Sequence, residues 1–218
     1  MEHQTGVAKD VLTGLPGYEA FLHQFEERTV NAGKDSGPVS MALLDIDRFA
    51  RLNEAYGPSV GDSVLKLLAG FLAECFSDTG AVFRYGGDAF AVLFEADKEE
   101  AFLLTERARG DFGGEHEVDA DAGGVTLSVT VTAGVAAYPD DGAQAQEIAR
   151  KANEALYRAK VSGPNKVCLA REEKMVTKTT HYAQGQLHGL SRLAKREGVG
   201  EAELLREALD DLLRKFNA

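Results

Sequence analysis

Interleaved strand and helix signals predict an α/β domain, and three observations carry that expectation. Val39 to Ile46 is a largely apolar run, short enough for a buried strand. Ala81 to Phe94 holds two apolar, aromatic-rich runs separated by Gly86-Gly87, which reads as a tight hairpin whose turn needs positive φ. Between such runs lie segments with apolar residues at helical spacing. The 218 residues, 44% hydrophobic and 27% charged, suffice for one sizeable core and a small appendage.

Asp10-Val-Leu-Thr-Gly-Leu-Pro-Gly17 is turn-rich and leads into an amphipathic helix from about Tyr18 to Val30. A polar linker, Asn31 to Pro38, precedes the Val39 to Ile46 strand, which ends on Asp45 and Asp47. Carboxylates where a buried strand meets a helix start are suited to metal and phosphate chemistry. Arg48 to Tyr56 reads as a short helix broken by Gly57-Pro58. A second runs from about Gly61 to Phe76, with Val64, Leu68, Phe71 and Leu72 on one face. The hairpin follows, then a helix from Asp97 to Arg109.

Gly110 to Gly124 is acidic and glycine-rich, and is expected to be a loop. Val125 to Ala137 is expected to be one strand, and Pro139-Asp-Asp-Gly142 turns the chain into a helix from about Gln144 to Lys160. Ser162-Gly-Pro-Asn165 leads to a last strand, Lys166 to Ala170.

No apolar run reaches the length of a membrane span, no signal peptide is seen, and Cys75 and Cys168 make neither a disulfide framework nor a metal site. A reduced, cytoplasmic protein without membrane contact is expected. The net charge of −11 is uneven. From Arg171 onward nine Lys/Arg face eight Asp/Glu, a net of +1, whereas the preceding part carries 15 against 27, a net of −12. Sequence-blind nucleic-acid binding by the acidic body is disfavoured, while the tail permits it.

Five segments in order resemble a known family: Asp10-Val-Leu-Thr-Gly-Leu-Pro, Asp45-Ile-Asp-Arg-Phe with Asn53 and Gly61-Asp62, Arg84-Tyr-Gly-Gly-Asp-Ala-Phe, Thr132-Ala-Gly-Val, and Ala155-Leu-Tyr-Arg-Ala-Lys160 with Ser-Gly-Pro-Asn. Singly each has a plain reading: Asp62 as a helix cap, Asn53 as a surface polar, Lys160 as a solvated helix end. Jointly they are similar to the GGDEF domain of diguanylate cyclases.

The resemblance implies a nucleotidyl-cyclase-like (ferredoxin-like palm) sheet flanked by helices over residues 1–170. Two GTP-loaded copies of such a domain meet to make cyclic di-GMP. It further implies that Asp45, Asp88 and the Ile46 carbonyl hold Mg²⁺ on the triphosphate, with Asp88 the catalytic carboxylate that remains. Asn53 and Asp62 would bind the guanine edge, backbone N–H groups of Arg48, Phe49 and Ala50 would cradle phosphate, and Lys160 would add a phosphate contact. Asp10 would pair with Arg84.

Five departures stand out. Ala89 replaces the signature glutamate, thought to serve a second metal or the deprotonation of the attacking 3′-hydroxyl. Ala50 and Pro164 replace a lysine and an arginine that contact phosphate, each worth about 1.5–3 kcal/mol at a partly exposed site. Pro58 replaces a common histidine. The product-inhibition motif is absent, its place held by Ser77-Asp-Thr-Gly80. A domain that keeps guanine specificity and is poor or dead as a cyclase is expected.

After Arg171 the character changes. An extended run, Met175 to Ala183, precedes a helix bearing Leu187, Leu190 and Leu193 that stops at Gly198, and a second helix from about Glu201 to Lys215. Residues 171–218 thereby resemble ribbon-helix-helix proteins, in which two chains pair strands that enter the DNA major groove. That implies a homodimer reading DNA with Thr177, Thr179 and His181; a one-residue slip would offer Lys178, Thr180 and Tyr182 instead. Glu201 and Glu203 oppose a phosphate grip there, and a dimerisation clip without a DNA role is the plainer alternative. The whole chain then reads as a transcriptional regulator sensing GTP or cyclic di-GMP, with an active cyclase and a non-catalytic scaffold as alternatives.

Overall fold

Val39–Ile46 (β1) occupies the middle of the main sheet, which explains its largely apolar sequence. Val39, Met41 and Leu43 face one core and Ala42, Leu44 and Ile46 the other. In the computed structural model residues 9–29, 37–120, 123–171, 180–197 and 200–216 are described. The chain divides into two compact units, Met1–Glu172 and Glu173–Ala218.

In the first unit α1 (Tyr18–Thr29) precedes β1, and α2 (Phe49–Tyr56) and α3 (Pro58–Cys75) follow it. The hairpin strands β2 (Gly80–Gly86) and β3 (Ala89–Phe94) lead to α4 (Lys98–Phe112), then to β4 (Gly114–Ala120), β5 (Gly123–Val129) and β6 (Val131–Tyr138). Helix α5 (Ala145–Val161) and strand β7 (Val167–Leu169) complete it. The five-stranded sheet has the order β2-β3-β1-β6-β7, antiparallel except for the parallel β6–β7 pair. One face packs on α1 and α5, the other on α3 and α4.

The hairpin glycines adopt positive φ, 150° at Gly86 and 55° at Gly87, as the turn demands. Helix α3 starts at Pro58 rather than Gly61, because proline is well placed in a first helical turn, where no N–H is needed. Asp62 therefore lies inside the helix and is not its cap. Asp97 does cap α4, accepting a 2.8 Å hydrogen bond from the Glu100 N–H.

Two expectations fail between α4 and β6. Residues 110–124 are not a loop: α4 continues to Phe112, and Gly114–Ala120 pairs antiparallel with Gly123–Val129 as a separate two-stranded sheet. Few residues there are apolar, but Val118, Leu127 and Val129 are buried in the core beneath α3. Val125 to Ala137 is also not one strand. Val129 pairs with Gly114 in the small sheet and Val131 with Ile46 in the large one, so the chain changes partners at Thr130.

Asp10 closes the N-terminal turn, its Oδ1 accepting from Thr13 Oγ1 at 2.6 Å and from the Thr13 N–H at 2.8 Å. The expected pair with Arg84 is not formed as an ion pair. Arg84 instead donates to the Gly87 carbonyl and lies over the Phe90 ring, 4.7 Å from its centroid. The Thr13 hydroxyl foremost holds the Asp10 carboxyl below its ordinary 3.8. A lowered carboxyl stabilises the fold above its unfolded range, and that contribution disappears as the pH falls through the lowered value. Asp10→Ala should therefore melt below the wild type at about pH 7 and approach it at about pH 2. Thermal denaturation at both pH values checks this, and a gap that does not narrow would contradict it.

The second unit contains α6 (Gln184–Glu197) and α7 (Glu201–Lys215), bridged by a 2.5 Å hydrogen bond from Ser191 Oγ to Glu201 Oε1. Leu187, Leu193, Leu209, Leu212 and Phe216 are exposed. Among the described residues no helix is long and apolar enough to cross a membrane.

Candidate nucleotide and metal site

The end of β1, the start of α2, the β2–β3 turn and the end of α5 bring most of the expected residues together. Asp45, one residue before the end of β1, meets Lys160 from α5, with Nζ 2.5 Å from Oδ1. The contact is a close ion pair. Burial pushes the Asp45 carboxyl above its usual range, and the negative charges of Asp88 and Asp47 push it the same way, while Lys160 opposes them. Asp88 stands in the turn, between Gly87 and the first residue of β3.

The register pairs Ala89 directly with Asp45. Directly paired residues project from the same face, so a methyl group stands beside the Asp45 carboxylate.

Asn53 projects from α2 toward α3, where Gly61 makes room for it. A Cβ at Gly61 would lie 1.9 Å from Asn53 Oδ1. Asp62, the next residue of α3, is exposed. Arg84 lies amid Asp10, Asp88 and Asp62: burial lowers its pKa and these three carboxylates oppose the shift. Arg48 is not a helical residue, as expected, but the N-cap of α2, left-handed at φ 58° and ψ 29°. Phe49 packs partly buried against the core and Ala50 is exposed. No side chain caps α2, leaving its first N–H groups to an outside acceptor.

Two buried side-chain atoms among the described residues, Asn53 Oδ1 and Arg84 Nη1, have neither a hydrogen-bond partner nor an ion pair. Orphaned buried polar atoms are uncommon in folded proteins, and these two leave capacity open to a ligand.

Sequence reasoning missed what holds the site in shape. Asp47 Oδ1 accepts from Thr132 Oγ1 at 2.6 Å, and its Oδ2 from Thr130 Oγ1 at 2.7 Å and from the Asn165 N–H at 3.0 Å. Asn165, left-handed at φ 60°, in turn accepts a 2.5 Å hydrogen bond from Arg109. This network ties the β1 end to the β5–β6 switch and to the 162–165 loop. The spacing of Thr130 and Thr132, the latter opening the Thr-Ala-Gly-Val segment, was the available signal.

The family described as "Diguanylate cyclase, GGDEF domain" matches residues 7–166. The chain belongs to the GGDEF domain family. It is 36% identical over 163 residues to the diguanylate cyclase DgcP of Pseudomonas aeruginosa, covering 74% of this chain and 24% of that protein. It is 32% identical over 170 residues to the diguanylate cyclase DgcZ of Escherichia coli, covering 78% and 55%. The chain thus spans under two thirds of both relatives. Among solved structures, the GGDEF domain of YfiN (TpbB) from Pseudomonas aeruginosa superposes with a TM-score of 0.69 at 26% identity, covering 75% of this chain and 95% of that one. The coiled coil and GGDEF domain of DgcB from Caulobacter crescentus, in complex with c-di-GMP, gives 0.66 at 26%, covering 74% and 85%.

GGDEF diguanylate cyclases use Mg²⁺ with GTP, and the residues present fit that ion. Among the described residues no three Asp, Glu, His or Cys side chains form a cage of their own. Asp45, Asp88 and the Ile46 carbonyl suit a hard cation that takes its other oxygens from phosphate and water. Bound there, Mg²⁺ would neutralise phosphate charge. For its part the chain holds Asp45 in place with Lys160.

Gly61→Ala offers a check on the guanine contact. The clashing atom is the end of a side chain, so Asn53 can swing away at little cost in stability. GTP affinity measured by calorimetry is expected to fall about tenfold, matching Asn53→Ala, as one hydrogen bond to the base is lost. Unchanged affinity in both variants would remove Asn53 from the site.

Proposed function

We propose that this GGDEF domain binds guanine nucleotide, GTP or cyclic di-GMP, but is impaired in making the phosphodiester, and that the chain works as a nucleotide-responsive transcriptional regulator. One combination carries the proposal: buried polar atoms of Asn53 and Arg84 are left without hydrogen-bond partners, while the position of the signature carboxylate is the methyl of Ala89, paired with Asp45. A ligand would satisfy the first, while the second removes a group needed for chemistry rather than binding. Asp45, Ile46 and Asp88 hold Mg²⁺, and Arg48 to Ala50 offer backbone donors to phosphate. A cytoplasmic setting belongs to the same proposal.

The second unit supplies the output. Two amphipathic helices leave Leu187, Leu193, Leu209 and Leu212 exposed, which a unit of this size cannot offset alone. This supports pairing with a second copy as a ribbon-helix-helix dimer. Of the residues assigned to DNA, His181 is exposed, while Thr177, Lys178 and Thr179 lie outside the described residues.

An active cyclase, dimerised by its tail, is the second reading, favoured by the retention of Asp45, Asp88 and Lys160 together. Incubating the full chain with GTP and Mg²⁺, followed by chromatography, separates the two, since sustained cyclic di-GMP formation contradicts impairment. Titrating duplex DNA at low salt with and without GTP tests the output, and no binding in either condition ends the regulator reading.

A further inference from the structure

Two carboxylates reach the end of β1 on the same face. Asp45 pairs directly with Thr132 across β1 and β6, so their side chains share one face of the sheet. Thr132 Oγ1 also donates to Asp47, which places the Asp47 carboxylate on that face, two residues further along. Its charge is felt at Asp45, whose carboxyl is pushed up by burial first and then by Asp88 and Asp47.

Asp47 nevertheless has little left to offer a cation. A carboxylate has about four acceptor directions, and the hydroxyls of Thr130 and Thr132 and the Asn165 N–H occupy most of them. The Asn165 N–H also lies 2.8 Å from Thr132 Oγ1. Asn165 holds this pose at φ 60°, a conformation that a residue other than glycine keeps only where its surroundings fix it.

Helix α4 supplies the fixing. Arg109, in its last turn, grips Glu106 with two bonds, Nη2 to Oε1 at 2.6 Å and Nε to Oε2 at 2.8 Å. The other arm of the fork, Nη1, donates to Asn165 Oδ1. Glu106 foremost holds the Arg109 guanidinium above its ordinary pKa, and the Asp47 charge acts in the same sense. Glu106 thus orients Arg109, Arg109 holds Asn165, and Asn165 holds Asp47.

We propose that Arg109 is a positioning residue for the metal: through Asn165 it keeps Asp47 turned to Thr130 and Thr132, away from a cation at Asp45 and Asp88, so that Mg²⁺ is taken up only together with nucleotide phosphates. The proposal rests on the nucleotide reading above. Ligand charge is the reason. Two carboxylates and a carbonyl leave Mg²⁺ dependent on phosphate oxygens, whereas a third carboxylate would let the chain hold the ion alone. Among the described residues no group of three such side chains is assembled.

The experiment titrates Mn²⁺, which shares the oxygen preference of Mg²⁺, into the nucleotide-free full chain and follows it by electron paramagnetic resonance. The variants are Arg109→Ala, Arg109→Lys, Asn165→Gly and Arg109→Ala/Asp47→Asn, each with a thermal melt to verify folding. Asn165→Gly tolerates the positive φ and removes only the acceptor of Arg109, so it serves should Arg109→Ala not fold. Wild type is expected to bind Mn²⁺ weakly without nucleotide, and to bind GTP with Mg²⁺ in a parallel calorimetric titration. Arg109→Ala and Asn165→Gly should bind Mn²⁺ about tenfold more tightly than wild type, the low end of what residues that orient metal ligands contribute. Arg109→Lys, which keeps the charge but not the fork, should fall between, and the double variant should return to the wild-type level. Loosening of the fold alone would not produce a gain that depends on Asp47. Single variants that bind Mn²⁺ as wild type does, a gain that survives Asp47→Asn, or a wild type that already binds Mn²⁺ tightly would overturn the proposal and leave the nucleotide reading intact. A wild type that does not bind GTP with Mg²⁺ removes the nucleotide reading, and the proposal with it.

Discussion

Ala89→Glu is expected to raise cyclic di-GMP formation from GTP and Mg²⁺ by on the order of 10²–10⁴-fold, the usual contribution of a positioned general base. The register supplies the reason. Ala89 pairs with Asp45 across β1 and β3, so a carboxylate grafted there projects beside Asp45 and toward the side of the sheet that carries Lys160. Ala89 is half-buried, so the longer side chain has an exit toward solvent and need not disturb the sheet. The added charge will also repel Asp45, whose carboxyl is already pushed up by burial and by Asp88. The full gain is thus expected only with Mg²⁺ present. Adding Ala50→Lys and Pro164→Arg should lower the GTP concentration at half-maximal rate without a comparable change in maximal rate. Product quantified by chromatography decides it: a wild type already as fast as Ala89→Glu would show that the missing carboxylate does not limit the chemistry.

Gly134→Ala should be the most damaging single methyl group in the first unit. Gly134 lies in β6 between Leu43 of β1 and Cys168 of β7, beneath α5. A Cβ there would lie 2.0 Å from the Ala152 carbonyl oxygen and 2.3 Å from the Leu156 N. Both are backbone atoms, so relief requires moving the helix rather than turning a side chain. Helix α5 sits this close because its buried face is rich in alanine, with Ala145, Ala149, Ala152, Ala155 and Ala159 all buried. A cost of about 3 kcal/mol, the upper end of ordinary overpacking, is expected. That corresponds to a melting-temperature drop of roughly 6–12 °C for a domain of this size. Because α5 also carries Lys160, GTP binding should weaken in whatever fraction remains folded. Thermal denaturation checks the first effect, and a drop under about 2 °C would mean that α5 shifts freely over the sheet.

Much of the framework was legible because its causes are local. The boundaries of β1 follow from an apolar run bracketed by Pro38 and Asp47, those of α7 from heptad-like leucines between Gly200 and the chain end, and the hairpin from its two glycines. Strand β4 was not legible, since Glu115, Glu117 and Asp119 alternate with only two apolar residues and become a strand only by pairing with β5. The break at Thr130 escaped notice for the same kind of reason: the sequence on either side is equally strand-like, and only the change of partner separates the two strands. Arg84 donates to the Gly87 carbonyl three residues on, while Asp10 remains its leading charged neighbour without forming an ion pair.

The amino-acid sequence by itself determined the inventory of this protein: a GGDEF domain, the carboxylates Asp45 and Asp88, the polar pair Asn53 and Asp62, and the loss of a glutamate at Ala89. Tertiary structure alone decided how that inventory is deployed. It set Ala89 opposite Asp45, turned Asp47 into a clasp for Thr130, Thr132 and Asn165, left buried polar atoms of Asn53 and Arg84 without hydrogen-bond partners, and gathered Arg48 and Arg51 on one cavity. The physical reason is separation along the chain. Composition and periodicity report on neighbours within a few residues, whereas Asp47 meets partners more than eighty residues away only after the whole sheet has assembled.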